Sequence, residues 1–438
     1  MNKSRFPLLV VTLTVSASML LSACGSSTAD TTPVAGNNPG STGAATATTA
    51  TGGSTSGGSG SVVKIAVDLP VTGAEGGIGI PTRNGVQLAI DQANKAGGVT
   101  IDGKPMQIEM FFLDDVPPGG TSHDPAQGSK NADAFIADPD VLAMFGPLNS
   151  NVAKAMMPKL NQANLPNISA TNTGPELTKP ELGETKSLRP TGKVTYFRVC
   201  ATDDIQGPVA ADYAYDKLGK KKVYILDDTE SYGKGLADQF EKEFKAKGGT
   251  VLGHDGVPKG TTDYSSILTK AAAAGPDLLY FGGTTATGVP IARKQMKAAG
   301  LDIPLMGGDG IQEDQYLKTA GADADNSYAT VMAVNVATLP EGKQFIADYK
   351  TAFNADPGAY SASAFDATNI IIAAIKTAGK KDREAVRAAI AATKDYKGVL
   401  GTTGFDENGD TTNRWVSIYQ AKGGKWEFID QQRFEAAK

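Results

Sequence analysis

Apolar and polar positions along the chain fall into two alternating series. Residues 62–67 form a β-branched apolar run closed by Pro70. From 82 to 96, Val86, Leu88, Ala89, Ile90 and Ala93 recur at helical spacing, and Gly97-Gly98 stops the pattern. The alternation continues with a strand over 106–113, a helix over 125–137, a continuous apolar strand over 141–145, a helix over 152–162 and a short strand over 165–169. The series then restarts. Strands at 196–199, 223–226, 277–281 and 303–306 are separated by helical patterns at 207–218, 235–247 and 288–299.

Near-continuous apolar strands alternating with helices predict parallel sheets covered on both faces, and two such series predict two lobes of like architecture. The last third carries helical patterns at 341–353, 360–378 and 383–392, then a strand pair, 415–420 and 425–429, turned by Gly423-Gly424. These strands are too few for a third sheet. They are expected to dock on the existing lobes, so the chain crosses between lobes more than once. The expected fold is α/β, with two doubly wound parallel-sheet lobes joined by a multi-crossing hinge. Lobe 1 is assigned 62–198 plus 334–400, and lobe 2 is assigned 199–333 plus 401–438.

The N-terminal region departs from this pattern. Lys3 and Arg5 precede a charge-free apolar run over 6–21, then small residues and Cys24. That is the layout of a secretory signal peptide, and the run is shorter than the roughly 20 residues that span a bilayer. Leu21-Ser22-Ala23-Cys24 resembles the bacterial lipoprotein signal. The resemblance implies that 1–23 is removed and that Cys24 is acylated, holding the chain to a membrane by its lipid. Residues 25–61 hold nine Gly, seven Ser, nine Thr and six Ala, with Asp30 the only charge. With Cys24 they form the segment 24–61, predicted to be a flexible tether with a reach of about 30–35 Å.

Composition narrows the chemistry. The 438 residues carry 42 Lys+Arg against 47 Asp+Glu, a net charge of -5 that excludes a dedicated nucleic-acid binder. Two cysteines cannot build a disulfide scaffold or a cysteine-rich zinc site, and His123 and His254 lack metalloprotease spacing. There is no G-x-S-x-G and no G-x-x-x-x-G-K-[ST]. Gly77-Ile78-Gly79 starts like a dinucleotide fingerprint, but Thr82 stands at the third glycine. No catalytic residue, metal ligand or cofactor is therefore expected. Cys200 reads as a buried structural thiol, both histidines as surface residues, and Asp114-Asp115 and Asp227-Asp228 as turn and capping groups. Outside the tether, the remaining 42 of the 51 glycines recur largely as pairs where strands and helices end, the signature of turns.

Ligands of open α/β sheets sit beyond the carboxyl ends of strands. Here those ends are rich in hydroxyls, amides and backbone donors. Asn149-Ser150-Asn151 would cap a helix starting near Val152, which suits either a carboxylate ligand or a plain N-cap. Asp309, between Gly308 and Gly310, suits an ammonium group or an ordinary turn. Tyr232 is a loop aromatic beside the next helix start.

Together these motifs resemble the periplasmic branched-chain amino acid-binding proteins of ABC transporters, the type I solute-binding fold, over 62–438. The segments that carry the resemblance are 64–73 with Asn84-Gly85, 145–150, 169–178, 203–208, 232–235, 263–265, 280–283 and 405–410. The resemblance implies an extracytoplasmic binding protein, not an enzyme, that takes a small polar ligand, an amino acid of branched-chain or hydrophobic type. Its partners would be an ABC permease and, through Cys24, membrane lipid. It would bind no nucleic acid and act as a monomer. Ser150 and the backbone of Thr171 and Thr173 would grip the ligand's α-carboxylate. The Thr173 hydroxyl and Asp309 would take the α-ammonium, and Tyr232 would close over it. The chain departs from the family pattern at several positions. Asp309 replaces a glutamate, Thr284 and Ile78 stand where pocket aromatics are usual, and Asn149 occupies a position of an absent disulfide. Binding of amides, urea or aromatic acids, or a sensory role for the same fold, stays open beside amino acid capture.

Overall fold

The computed structural model describes residues 62–434; the expectations for the signal peptide, Cys24 and the tether lie outside the described residues. Strands β1 (Val62–Asp68), β2 (Val99–Ile101), β3 (Lys104–Leu113), β4 (Val141–Phe145), β5 (Asn167–Ser169) and β6 (Tyr196–Arg198) make the first sheet, in the order β2-β3-β1-β4-β5-β6. All neighbours are parallel except the β2–β3 pair. All five residues of β4 are buried because helices cover both faces. Leu142, Ala143 and Phe145 pack with the helices Gly76–Lys95 and Ser361–Ala378. Val141 and Met144 pack with Pro125–Ala137 and Ser150–Gln162.

The second sheet contains β7 (Lys222–Asp227), β8 (Thr250–Gly256), β9 (Leu278–Gly282), β10 (Leu305–Gly307) and β11 (Ser327–Val331). Two later strands, β14 (Trp415–Lys422) and β15 (Lys425–Arg433), complete the order β15-β14-β11-β10-β9-β7-β8. Between them in the chain, β12 (Tyr396–Gly398) and β13 (Gly401–Thr403) form a separate hairpin. Strands β7 to β11 are parallel, while β14 joins β11 and β15 joins β14 antiparallel. The C-terminal strand pair therefore docks on the second sheet, as its hydrophobic pattern requires. The helices Ser361–Ala378 and Arg383–Ala391 return to the first core before the chain goes back to the second.

The structure corrects several element boundaries. The first helix begins at Gly76, six positions before the periodic pattern, because the glycines and Pro81 of its opening turns hide the apolar spacing. The helix expected near Val152 begins at Ser150. Strands β8 and β11 and the helices Ser265–Ala274 and Asp314–Ala320 have no clear counterpart in the periodicity. β8 is only half-buried at the sheet edge and carries Gly253, His254 and Asp255. β11 is fully buried yet contains Ser327 and Thr330, whose hydroxyls are paired inside.

Both sheets change strand order beside a central strand, the first at β1/β4 and the second at β7/β9, and the carboxyl ends there open a crevice. Gly146 ends β4 at φ +103°, and a Cβ on it would lie 2.3 Å from the Asp68 carbonyl oxygen at the end of β1. That close approach brings the Asn149-Ser150 turn against the loop after β1.

Candidate ligand-binding site

A small cavity, of about 30 Å³, lies between the two sets of strand ends. Of the residues singled out in the sequence, Ile78, Asn149, Ser150 and Thr171 line it from the first lobe, and Tyr232, Thr284 and Asp309 from the second. Thr173 is fully buried but stands outside the lining, its hydroxyl turned to the Asp203 carboxyl. The cavity is also walled by Leu148 and Gly310, from strand ends noted in the sequence, and by Glu75, Ala286 and Tyr360, which did not stand out there.

On the first-lobe side, Ser150 opens a helix whose N-terminal N–H groups have no partner within the helix. Asn149, the N-cap residue, makes no side-chain cap; its amide turns instead to Glu75 Oε1 at 3.0 Å. Among the described residues the oxygen of that amide has no partner. Thr171 spends its hydroxyl on the Leu148 carbonyl (2.7 Å), and its N–H reaches Ser169 Oγ at 3.2 Å. The helix start, with its dipole and free donors, is thus the anion-favouring corner of the cavity.

On the second-lobe side, Asp309 is not the open strand-end acid that its glycine neighbours suggested: it is 2% exposed. Its carboxylate accepts from Tyr232 Oη (2.7 Å), from Gln206 Nε2 (2.9 Å) and from the Tyr360 hydroxyl. Burial raises its pKa, and the three hydrogen bonds from Tyr360, Tyr232 and Gln206 oppose the rise. Tyr232 Oη also accepts from the N–H of Gly310 (3.2 Å), which fixes the ring over the strand end. Gly308 is required here, since a Cβ would lie 2.3 Å from that phenol oxygen. Beneath Asp309 lies Asp203, fully buried, its carboxyl facing the Thr173 hydroxyl. Burial and the Asp309 charge push its pKa well above the usual carboxylate range.

The structure also corrects two smaller expectations. His123, expected at the surface, is 4% exposed and pairs with Glu75, because the loop after β3 folds back over the turn after β1. His254 is part-buried between Asp227 and Glu241. Asp114, Asp227 and Asp228 accept from nearby backbone N–H groups, as turn residues do. Asp115, in contrast, is fully buried against the Asp68 carboxyl, and burial raises its pKa. Cys200 is a buried thiol, as read.

The geometry joins an anion-favouring helix start on one lobe to a buried acid on the other, across the apolar walls of Ile78, Leu148 and Ala286. The family model described as periplasmic binding protein matches residues 62–425. A Leu/Ile/Val-binding protein homolog 3 of Brucella melitensis is 30% identical over 364 residues, covering 83% of this chain and 92% of the relative. Among solved structures, the leucine-binding protein LivK of Thermotoga maritima aligns with TM-score 0.75 at 27% identity, covering 85% of this chain and 99% of the other. The branched-chain amino acid transporter substrate-binding protein LivJ of Streptococcus pneumoniae, solved with isoleucine, aligns with TM-score 0.73 at 27% identity, covering 84% and 99%.

Proposed function

The chain belongs to the periplasmic binding protein family, and on that premise we propose that it captures a branched-chain or other apolar α-amino acid outside the cytoplasmic membrane and hands it to an ABC permease. The observation that carries this reading is the pairing, across one cavity, of the Ser150 helix start with the Asp309 carboxylate. A zwitterion satisfies both ends at once, carboxylate to the N–H groups and ammonium to the acid, while its side chain meets Ile78, Leu148 and Ala286. Thr284 and Ile78, in place of aromatics, leave the side-chain end less crowded.

Capture proceeds by closure without covalent chemistry. Ser150 and the backbone at Thr171 hold the carboxylate; Asp309 receives the ammonium; Tyr232 folds over the ligand. Closing the lobes removes water from these charged groups, so each hydrogen bond counts for more. The lobes divide at about 62–198 plus 334–400 and 199–333 plus 401–438, except that the segment of Phe405 and Asp410 packs on the first lobe, and the protein acts as a monomer. Residues 1–23 direct export, Cys24 carries the lipid, and the tether sets the distance to the permease. Replacing Cys24 by alanine should release the protein from the membrane fraction.

The ligand reading is tested by thermal-shift measurements on the purified protein with L-leucine, L-isoleucine, L-valine, urea and benzoate. Stabilisation by the three amino acids and not by urea or benzoate is expected. Stabilisation by benzoate or urea alone overturns the amino acid assignment and leaves the fold reading intact.

A further inference from the structure

Glu75 lines the cavity yet has its carboxylate filled from within the chain. It accepts from His123 Nδ1 (2.8 and 2.9 Å), from the His123 N–H (2.9 Å) and from Asn149 Nδ2 (3.0 Å). The other ring nitrogen, His123 Nε2, faces the second lobe. It lies 3.1 Å from Asn151 Nδ2 and 3.9 Å from a carboxylate oxygen of Glu230. Asn151 Nδ2 also donates to that Glu230 oxygen, while its Oδ1 accepts from the N–H of Val152 at 2.9 Å. Ser150 is thus bracketed by two asparagines, one tied to Glu75 and the other to Glu230, with the imidazole joining the two carboxylates. Glu230 is the N-cap residue of the helix Ser231–Ala246, whose first turn carries Tyr232.

We infer that His123 is a positioning residue that couples the anion-binding end of the Ser150 helix to lobe closure, by bridging Glu75 of the first lobe to Glu230 of the second. Its effect on affinity rests on the amino acid reading above; the bridge between lobes does not. Two protonation states give the bridge a direction. A neutral ring with its proton on Nδ1 donates to Glu75 and accepts from Asn151 at Nε2. An imidazolium carries a second N–H on Nε2, which displaces the Asn151 amide to reach Glu230, and the ring then stands between two carboxylates. The charged groups around the ring are Glu75 and Asp115 from the first lobe and Glu230 and Lys259 from the second. Burial opposes the ring's charge, and so does Lys259. Glu75 and Glu230 outweigh both and raise the His123 pKa to about 9. Opening the lobes takes Glu230 away from the ring and leaves Glu75 in place. The closed form therefore holds the proton more tightly than the open form, and closure weakens as pH rises toward 9.

The test uses the full chain, without ligand and with L-leucine, from about pH 6 to about pH 10. Small-angle X-ray scattering of the ligand-free protein reads the closed fraction, and calorimetry reads affinity. Each variant is compared with wild type at the same pH, so leucine's own titration cancels. Glu230→Gln keeps an acceptor for Asn151 and removes only the charge; His123→Gln removes the ring. Both should open the ligand-free form and bind leucine about fivefold more weakly near the acid end of the range, with the ratio approaching one at the alkaline end. If Glu230→Gln scatters like wild type and shows an affinity ratio near one at every pH, the inference is overturned, whether or not His123→Gln folds. If wild type binds no leucine, the amino acid reading fails and the scattering series alone decides on the bridge.

Discussion

The Tyr360 hydroxyl donates to the Asp309 carboxylate from the opposite lobe. Tyr360 packs in the first-lobe core, and Asp309 stands just past the end of β10 in the second. The acid assigned to a ligand's ammonium is therefore also a closing contact. Tyr232 and Gln206 hold it from its own side.

Tyr360→Phe should keep the ring's packing and lose this contact. A hydrogen bond to a charged group contributes about 1.5–3 kcal/mol. Leucine affinity should fall by about one to two orders of magnitude, measured by calorimetry. An affinity within about twofold of wild type would remove Tyr360 from the closing contacts.

Asp309→Asn should separate binding from stability. The amide keeps its oxygen as acceptor for Tyr232 and Gln206, turns its NH2 to the Tyr360 hydroxyl oxygen and carries no charge, so binding should weaken by roughly 2–5 kcal/mol as the ammonium loses its partner. Burial raises the pKa of Asp309, so its charge costs folding free energy at neutral pH. The melting temperature of the ligand-free variant should hold or rise. A lower melting temperature together with normal binding would contradict both assignments.

Arg198 and Asp410 form a buried ion pair, with Nε 2.7 Å from Oδ1. The same guanidinium donates to the carbonyls of Asn172 (2.7 Å) and Gly174 (2.8 Å), on either side of Thr173. Asp410→Ala leaves that cation buried and unpaired, and should destabilise the fold by about 3–5 kcal/mol in denaturant titrations. Arg198→Lys should also destabilise it, because one ammonium cannot reach the carboxylate and two divergent carbonyls together. A midpoint unchanged in either variant would show that the network contributes little.

Thermal stability should fall as pH rises from about 5 to about 9. Burial raises the pKa of Asp68 and Glu313 to about 7, and of Asp228 and Asp366 to about 6. Each of these acids binds its proton more tightly folded than unfolded, so each costs stability as it ionises. His123 and His254 are raised by their carboxylate partners, His123 to about 9 against burial. Their contribution is complete below the unfolded histidine pKa, about 6.5, and is lost as pH climbs through the folded value. Acids with lowered pKa, such as Glu75 and Glu384, lose their contribution only at more acidic pH. A melting temperature that rises across this range would contradict the prediction.

What could be read in advance follows from where each signal resides. β4 was legible because a strand covered on both faces is a continuous apolar run, and Ser150, Tyr232 and Asp309 were legible because strand ends of this architecture hold ligands. β11 was not, since its Ser327 and Thr330 are polar residues made tolerable by Tyr316 and Gln206, partners that only the fold supplies. Tyr360 meets Asp309, 51 positions away, only after the chain has crossed between lobes. Glu75 and His123 lie in irregular loops without periodicity, and nothing local marks them as a buried pair.

The crossing pattern also sets an order of assembly. The first sheet gains its covering helix Ser361–Ala378 after all the strands of the second have been made up to β11, and the second sheet gains β14 and β15 last of all. A chain emerging N-terminus first therefore carries two unfinished cores until almost its final residues arrive. A product cut short before Trp415 would leave the β11 edge unpaired, an open template for aggregation.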